Sequence, residues 1–149
     1  MKVALDTNVL ACAEGVNGAP RRDAAFALIR RLPQGEVMVP VQVLGELFNV
    51  LVREAGKSRA DARNALSSWR DAFPVIETSL DGMLTATDLA VDHNLGVWDA
   101  VILSAASRSG CRLLLSEDLQ EGFTWAGVTV VNPFSQTPHP LLQTLLQNP

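Results

Sequence analysis

A chain of 149 residues, 48% of them hydrophobic, has the size of one domain and enough apolar material for one substantial core, while no apolar run reaches the roughly 18 residues of a membrane span. Two cysteines far apart, Cys12 and Cys111, exclude a Cys-x-x-Cys redox or zinc motif and read as reduced core thiols of a cytoplasmic protein. The net charge of −4 argues against gripping nucleic acid by overall attraction, but it is uneven: residues 1–50 carry five positive and five negative groups, 51–75 five and three, 76–149 two and eight.

The apolar start, Lys2 to Leu5, predicts a buried strand, and Asp6 and Asn8 interrupt the run that would otherwise resemble a secretory leader. Asp6-Thr7-Asn8 then forms a strand-to-helix turn, where Asp6 is equally well explained as a helix N-cap or as a functional acid. Arg21, Arg22, Arg30 and Arg31 flank a following helix. Val37 to Val39 predicts a second strand, and Gln42 to Ala55 a helix with Leu44, Leu47, Phe48 and Leu51 at helical spacing. Glu46 lies on that helix's polar stripe with Gln42, Asn49 and Arg53; periodicity reads it as solvated, yet no basic residue three or four positions away pairs with it.

Ser58 caps a further helix to about Ala72, stopped by Pro74, and Val75-Ile76 is a third short strand. Arg59, Arg63 and Arg70 share one edge of this helix, either to contact phosphate or to lay their stems over the apolar face with their heads in water. Leu80, Met83, Leu84, Thr87 and Val91 form the core stripe expected of the next helix; Asp81, Asp88 and Asp92 occupy another face as solvated acids, the nearest competitors for a metal site. A helix from about Trp98 to Ser109 follows, ended by Gly110. Asp99 in its first turn shares a face with Ile102, Leu103 and Ala106, with Ser104 and Arg108 opposite. A carboxylate in line with an apolar stripe needs a cation or donors to stay ionised, and a metal serves this better than the helix dipole alone.

Arg112 to Leu115 predicts a fourth strand, after which Ser116-Glu117-Asp118 repeats the acid-past-a-strand arrangement, although turn chemistry by itself accounts for one aspartate there. Val128 to Val131 is a fifth strand. From Pro133 the chain is rich in proline and glutamine, and Leu141, Leu142, Leu145 and Leu146 belong either to a short apolar helix or to a frayed tail. Strands alternating with helices imply a mostly parallel sheet covered by helices, with ligands beyond the C-terminal strand ends. Oxygen-rich clusters of acids there suit hard divalent cations, which in phosphodiester hydrolysis activate water and stabilise the departing oxygen.

Asp6-Thr7-Asn8, Val43-Leu44-Gly45-Glu46-Leu47-Phe48-Asn49, Trp98-Asp99-Ala100-Val101-Ile102 and Leu115-Ser116-Glu117-Asp118-Leu119, in this order and spacing, resemble the motifs of PIN domains. The resemblance covers Lys2 to Phe134, includes Gly127-Val128 and Asn132-Pro133-Phe134 at its close, and is nearest to the VapC-type toxins of bacterial toxin–antitoxin pairs. It implies a three-layer α/β/α sandwich with a mostly parallel, about five-stranded sheet over residues 1–134, followed by a C-terminal tail, 135–149. It further implies an endoribonuclease dependent on Mg²⁺ or Mn²⁺, with Asp6, Glu46, Asp99 and Asp118 as catalytic and metal-binding acids and Asn8 and Ser116 as supports. An RNA substrate bound through residues such as Arg59, Arg63 and Arg70, a cognate antitoxin, a homodimer and no membrane association complete the expectation. Spacing does not place Asp92 or Glu117 in or out of the site.

Other enzyme classes fit poorly. A haloacid-dehalogenase-type phosphatase calls for an aspartate where Asn8 stands, and a phosphate-receiving regulator for a late lysine, whereas the lysines are Lys2 and Lys57. No Gly-x-Ser-x-Gly elbow or Gly-rich phosphate loop occurs. The alternative is a PIN fold without catalysis, kept as an RNA-binding or protein-interaction module.

Overall fold

The computed structural model describes residues 1–147; residues 148 and 149, the end of the expected tail, lie outside the described residues. Strands β1 (Lys2–Leu5), β2 (Val37–Pro40), β3 (Val75–Ile76), β4 (Cys111–Leu115), β5 (Thr124–Trp125) and β6 (Val128–Val131) form one sheet in the order β3-β2-β1-β4-β6-β5. Helices α1 (Thr7–Ala13), α2 (Ala19–Arg31), α3 (Val41–Arg53), α4 (Arg59–Ala72), α5 (Leu80–His93), α6 (Val97–Arg108) and α7 (Pro140–Gln147) complete a three-layer α/β/α sandwich. None of the described helices is long and apolar enough to cross a membrane.

The five strands expected from apolar runs are parallel to one another. Val3, Ala4 and Leu5 are fully buried, which is why the central strand reads as a continuous apolar run without alternation. Among the described residues the sheet has six strands, the five parallel ones of the expected mostly parallel sheet and one antiparallel addition. The addition, β5, pairs antiparallel with β6 through the two-residue turn Ala126-Gly127, both with positive φ (46° and 85°), the geometry that suits a tight hairpin. Two residues are too few for any periodicity to announce such a strand.

Two helices differ from the expectation. On α5 the leucine stripe faces outward: Leu80, Leu84 and Val91 are 75%, 55% and 82% exposed, whereas Gly82, Ala86 and Leu89 are buried. The small residues let α6 approach closely, and Ser104 Oγ donates to the Gly82 carbonyl across the contact at 3.0 Å. On α6 Ser104 is consequently buried, not on an opposite, solvated side, and every residue from Ala100 to Ala106 is enclosed. At the C-terminus Pro140–Gln147 is a helix, with Leu142 and Leu145 buried in the core.

Candidate functional site

The direction of connection reverses between β1 and β4: from β1 the chain crosses to β2 on one side, while β4 leads to β6 on the other. Such a switch point opens a crevice beyond the carboxyl ends of the strands. Leu5 stands in register with Leu115, so Asp6 and Ser116 leave their strands side by side. Asp6 N–H donates to the Leu115 carbonyl at 3.0 Å, and Ser116 N–H to that of Val131 at 3.0 Å, which fixes both turns to the sheet.

A cavity of about 500 Å³ opens over this crevice, bordered by Asp6, Glu46, Asp99 and Asp118 from the ends of β1 and β4, the second turn of α3 and the first turn of α6. All four predicted acids thus meet at one place. Asp6 is 4% exposed, Glu46 and Asp99 are half-buried, and Asp118 is exposed. Asp6 does cap α1, accepting from Thr7 N–H at 2.7 Å, but its other oxygen accepts from Ser116 Oγ at 2.6 Å and Asn8 Nδ2 at 3.3 Å. The residue that caps α1 therefore also lines the cavity. The residues named as supports stand beside these acids: Asn8 Nδ2 also reaches Asp118 at 3.2 Å and Ser116 Oγ at 3.2 Å, while Asn8 Oδ1 accepts from Glu117 N–H at 3.1 Å.

Burial is the main force raising the Asp6 carboxyl to about 6, opposed by the Ser116 and Thr7 hydrogen bonds and reinforced by Asp99 and Glu46. Asp99 is raised too, first by burial and then by the Glu46 and Asp118 charges. Among the described residues none of the four acids forms an ion pair with a Lys, Arg or His. Clustered carboxylates left without a cation favour a divalent ion, and an all-oxygen donor set suits Mg²⁺ or Mn²⁺. The acids do not close into a cage: no three His, Cys, Asp or Glu side chains among the described residues are gathered as a ligand set. An ion held there must keep water in its shell, as Mg²⁺ commonly does.

Glu117 borders the cavity but is bonded to Arg21, which also stacks over Phe134 at 4.7 Å. That partner sets it apart from the four unpaired acids. Asp92, Asp81 and Asp88 are exposed on α5 and do not line the cavity. Nor do Arg59, Arg63 and Arg70, which are exposed on α4; Arg70 pairs with Asp71. Thr7 escapes sequence reasoning: its Oγ1 donates to Glu46 at 2.6 Å and draws a side chain from a polar helix face into the site. Its only sequence signal is a hydroxyl next to Asp6.

Several solved structures share the fold. They include VapC20 of Mycobacterium tuberculosis, a sarcin–ricin loop cleaving toxin (TM-score 0.65, 23% identity, 76% of this chain and 87% of that chain), and a toxin–antitoxin complex from Klebsiella pneumoniae (0.66, 22%, 89% and 98%). DNA-bound VapBC from Salmonella typhimurium is similar as well (0.61, 15%, 87% and 96%). No curated protein matches the sequence. The model of the PIN domain family matches residues 3–122, so the chain belongs to the PIN domain family.

Proposed function

We propose that the protein is a divalent-metal-dependent endoribonuclease and the toxin of a toxin–antitoxin pair. The observation that carries this reading is the meeting of Asp6, Glu46, Asp99 and Asp118 at one cavity with no cation of the protein to balance them. These four acids would hold Mg²⁺ or Mn²⁺, which when bound lowers the pKa of a water and offsets charge on the phosphate. The chain's own groups position the donors: Ser116 and Asn8 orient Asp6 and Asp118, and Thr7 holds Glu46. Glu117, neutralised by Arg21, is left out of the metal set.

The toxin assignment draws on the solved neighbours, among them a toxin that cleaves the sarcin–ricin loop and toxins in complex with antitoxins. A cognate antitoxin and a cytoplasmic setting belong to the same proposal. So does a homodimer, for which the exposed Leu80, Leu84 and Val91 stripe of α5 is an available surface. Arg59 and Arg63, exposed and without ion pairs among the described residues, are the remaining candidates for phosphate contact away from the cavity.

One observation favours the rival reading as a binding module, namely that the acids are not gathered as a ready ligand set. Incubating a mixed pool of structured and single-stranded RNAs with the purified protein, in Mg²⁺ or Mn²⁺ and in EDTA, separates the two. The nuclease reading expects cleavage that EDTA abolishes and that an Asp6→Asn, Asp99→Asn double variant lacks. No cleavage, together with no heat of Mg²⁺ or Mn²⁺ binding, overturns the nuclease reading and leaves the module reading in front.

A further inference from the structure

The turn after β4 carries two acids in succession, Glu117 and Asp118, and both border the cavity. Hard divalent ions take aspartate and glutamate oxygens alike, so residue type does not decide which of the two serves as the fourth carboxylate. Their partners separate them. Asp118 Oδ2 accepts from Asn8 Nδ2 at 3.2 Å, and that same nitrogen reaches Asp6 and Ser116. Glu117 turns instead to Arg21 of α2, whose guanidinium pairs with Oε2, lies over the Phe134 ring at 4.7 Å and has Cys12 Sγ 3.9 Å from the pairing nitrogen.

The backbone of the turn is held without Arg21. Glu117 N–H donates to Asn8 Oδ1 at 3.1 Å, and Asp118 N–H to Ser116 Oγ at 3.3 Å. Arg21 therefore restrains the Glu117 side chain: loss of the guanidinium frees that carboxylate while these bonds keep the turn in place. Among the described residues Glu117 has no second cation to hold it. The guanidinium also carries a cost, because its Nε is buried without an acceptor among the described residues. Folds accept unmade bonds of this kind at functional sites.

We propose that Arg21 is a positioning residue that selects which acid of this turn is a metal ligand: by holding Glu117 toward α2, it leaves that role to Asp118. The proposal rests on the metal-site reading above and deepens it. Without Arg21, Glu117 is free to turn into the cavity beside Asp118, and the two acids become interchangeable.

Calorimetric Mn²⁺ binding to the full chain, with Asp118→Asn made in the native background and in Arg21→Met, reads this choice without catalysis. Methionine keeps an apolar stem beside Phe134 and removes the charge and the donors. Asp118→Asn is expected to weaken Mn²⁺ binding about ten-fold or more in the native chain but to stay within about three-fold in Arg21→Met. Adding Glu117→Gln to Arg21→Met, Asp118→Asn should bring the full loss back. An Arg21 with a merely structural role leaves the effect of Asp118→Asn the same in both backgrounds, and that result overturns the proposal. If circular dichroism shows that Arg21→Met does not fold, the native chain decides: added Mg²⁺ shifts the ¹³C side-chain carboxyl resonance of Asp118 and leaves that of Glu117 in place. A Glu117 shift as large as that of Asp118 overturns the proposal. Absence of any Mg²⁺ or Mn²⁺ binding to the native chain overturns it together with the metal-dependent reading, whereas binding that follows Glu117 removes the role of Arg21 and leaves that reading intact. The exchange of acids as expected, without cleavage of any RNA, retains Arg21 as the selector and removes the nuclease reading.

Discussion

Asp6 illustrates how one side chain can cap a helix and border a cavity together. Its cap to Thr7 N–H starts α1, and its second oxygen is locked by Ser116. Its carboxyl sits at about 6, above the ordinary 3.8, because it is buried beside other acids. The folded chain thus binds this proton more tightly than the unfolded chain does. The resulting cost is absent below the ordinary pKa, grows as pH rises through it, and is complete above about 6, where a rise of roughly two pH units corresponds to about 3 kcal/mol. In EDTA, Asp6→Asn is therefore expected to melt several degrees above the native chain at pH 7 and to converge with it near pH 3.5, as calorimetric Tm values across that range would check. A titration of Tm with no difference in slope between the two chains contradicts this account. Thr7 gives a second expectation at this scale. Thr7→Val removes the donor to Glu46, a hydrogen bond to a charged group worth about 1.5–3 kcal/mol, so Mg²⁺- or Mn²⁺-dependent cleavage should drop about ten-fold or more, with Thr7→Ser restoring most of it. Asp99 was legible because a carboxylate in an apolar stripe is anomalous. Thr7 was not, since a hydroxyl in a turn has many ordinary uses.

Among the elements, strands and helices that follow apolar periodicity emerge as expected, and the exceptions have local causes. The hairpin β5–β6 is one, because its turn places Ala126, a residue with a Cβ, at φ 46°. The left-handed region costs such a residue roughly 1 kcal/mol, offset in part by Ser107 Oγ, which donates to the Ala126 carbonyl at 2.9 Å. Asparagine tolerates this conformation better, and Ala126 is exposed. Ala126→Asn is thus expected to stabilise the fold by about 0.5–1 kcal/mol in urea-induced unfolding, with an unchanged m-value. The α5 helix is the other exception. Periodicity of its large residues located the helix but assigned the wrong face, because burial there is governed by Gly82 and Ala86, whose small size sets the distance to α6. Hydrophobic pattern weighs residues by affinity for water; helix contact also weighs them by size.

For the whole molecule, the outward stripe of Leu80, Leu84 and Val91 has a direct consequence under the proposed homodimer. Leu84→Glu puts a charge in the middle of that stripe and should shift the native chain from dimer to monomer in light scattering while leaving the far-UV circular dichroism of the folded chain unaltered, since Leu84 is 55% exposed within one chain. A chain that is monomeric before the substitution removes that surface from consideration. The sequence alone determined the layered α/β architecture and the order of its parallel strands' acids, because continuous apolar runs, caps and breakers act over a few residues. It also singled out Asp6, Glu46, Asp99 and Asp118 with Asn8 and Ser116, through a motif order resembling PIN domains. Only the tertiary structure decided that these four carboxylates border one cavity without a cation while Glu117 is claimed by Arg21. It alone turned Glu46 from a solvated helix face to a partner of Thr7, left Arg59, Arg63 and Arg70 off the cavity, and set the α5 stripe outward. Each of these depends on contacts between residues far apart in the chain, where register at the switch point and the close approach of small residues determine what meets, and neither leaves a periodic trace in the sequence.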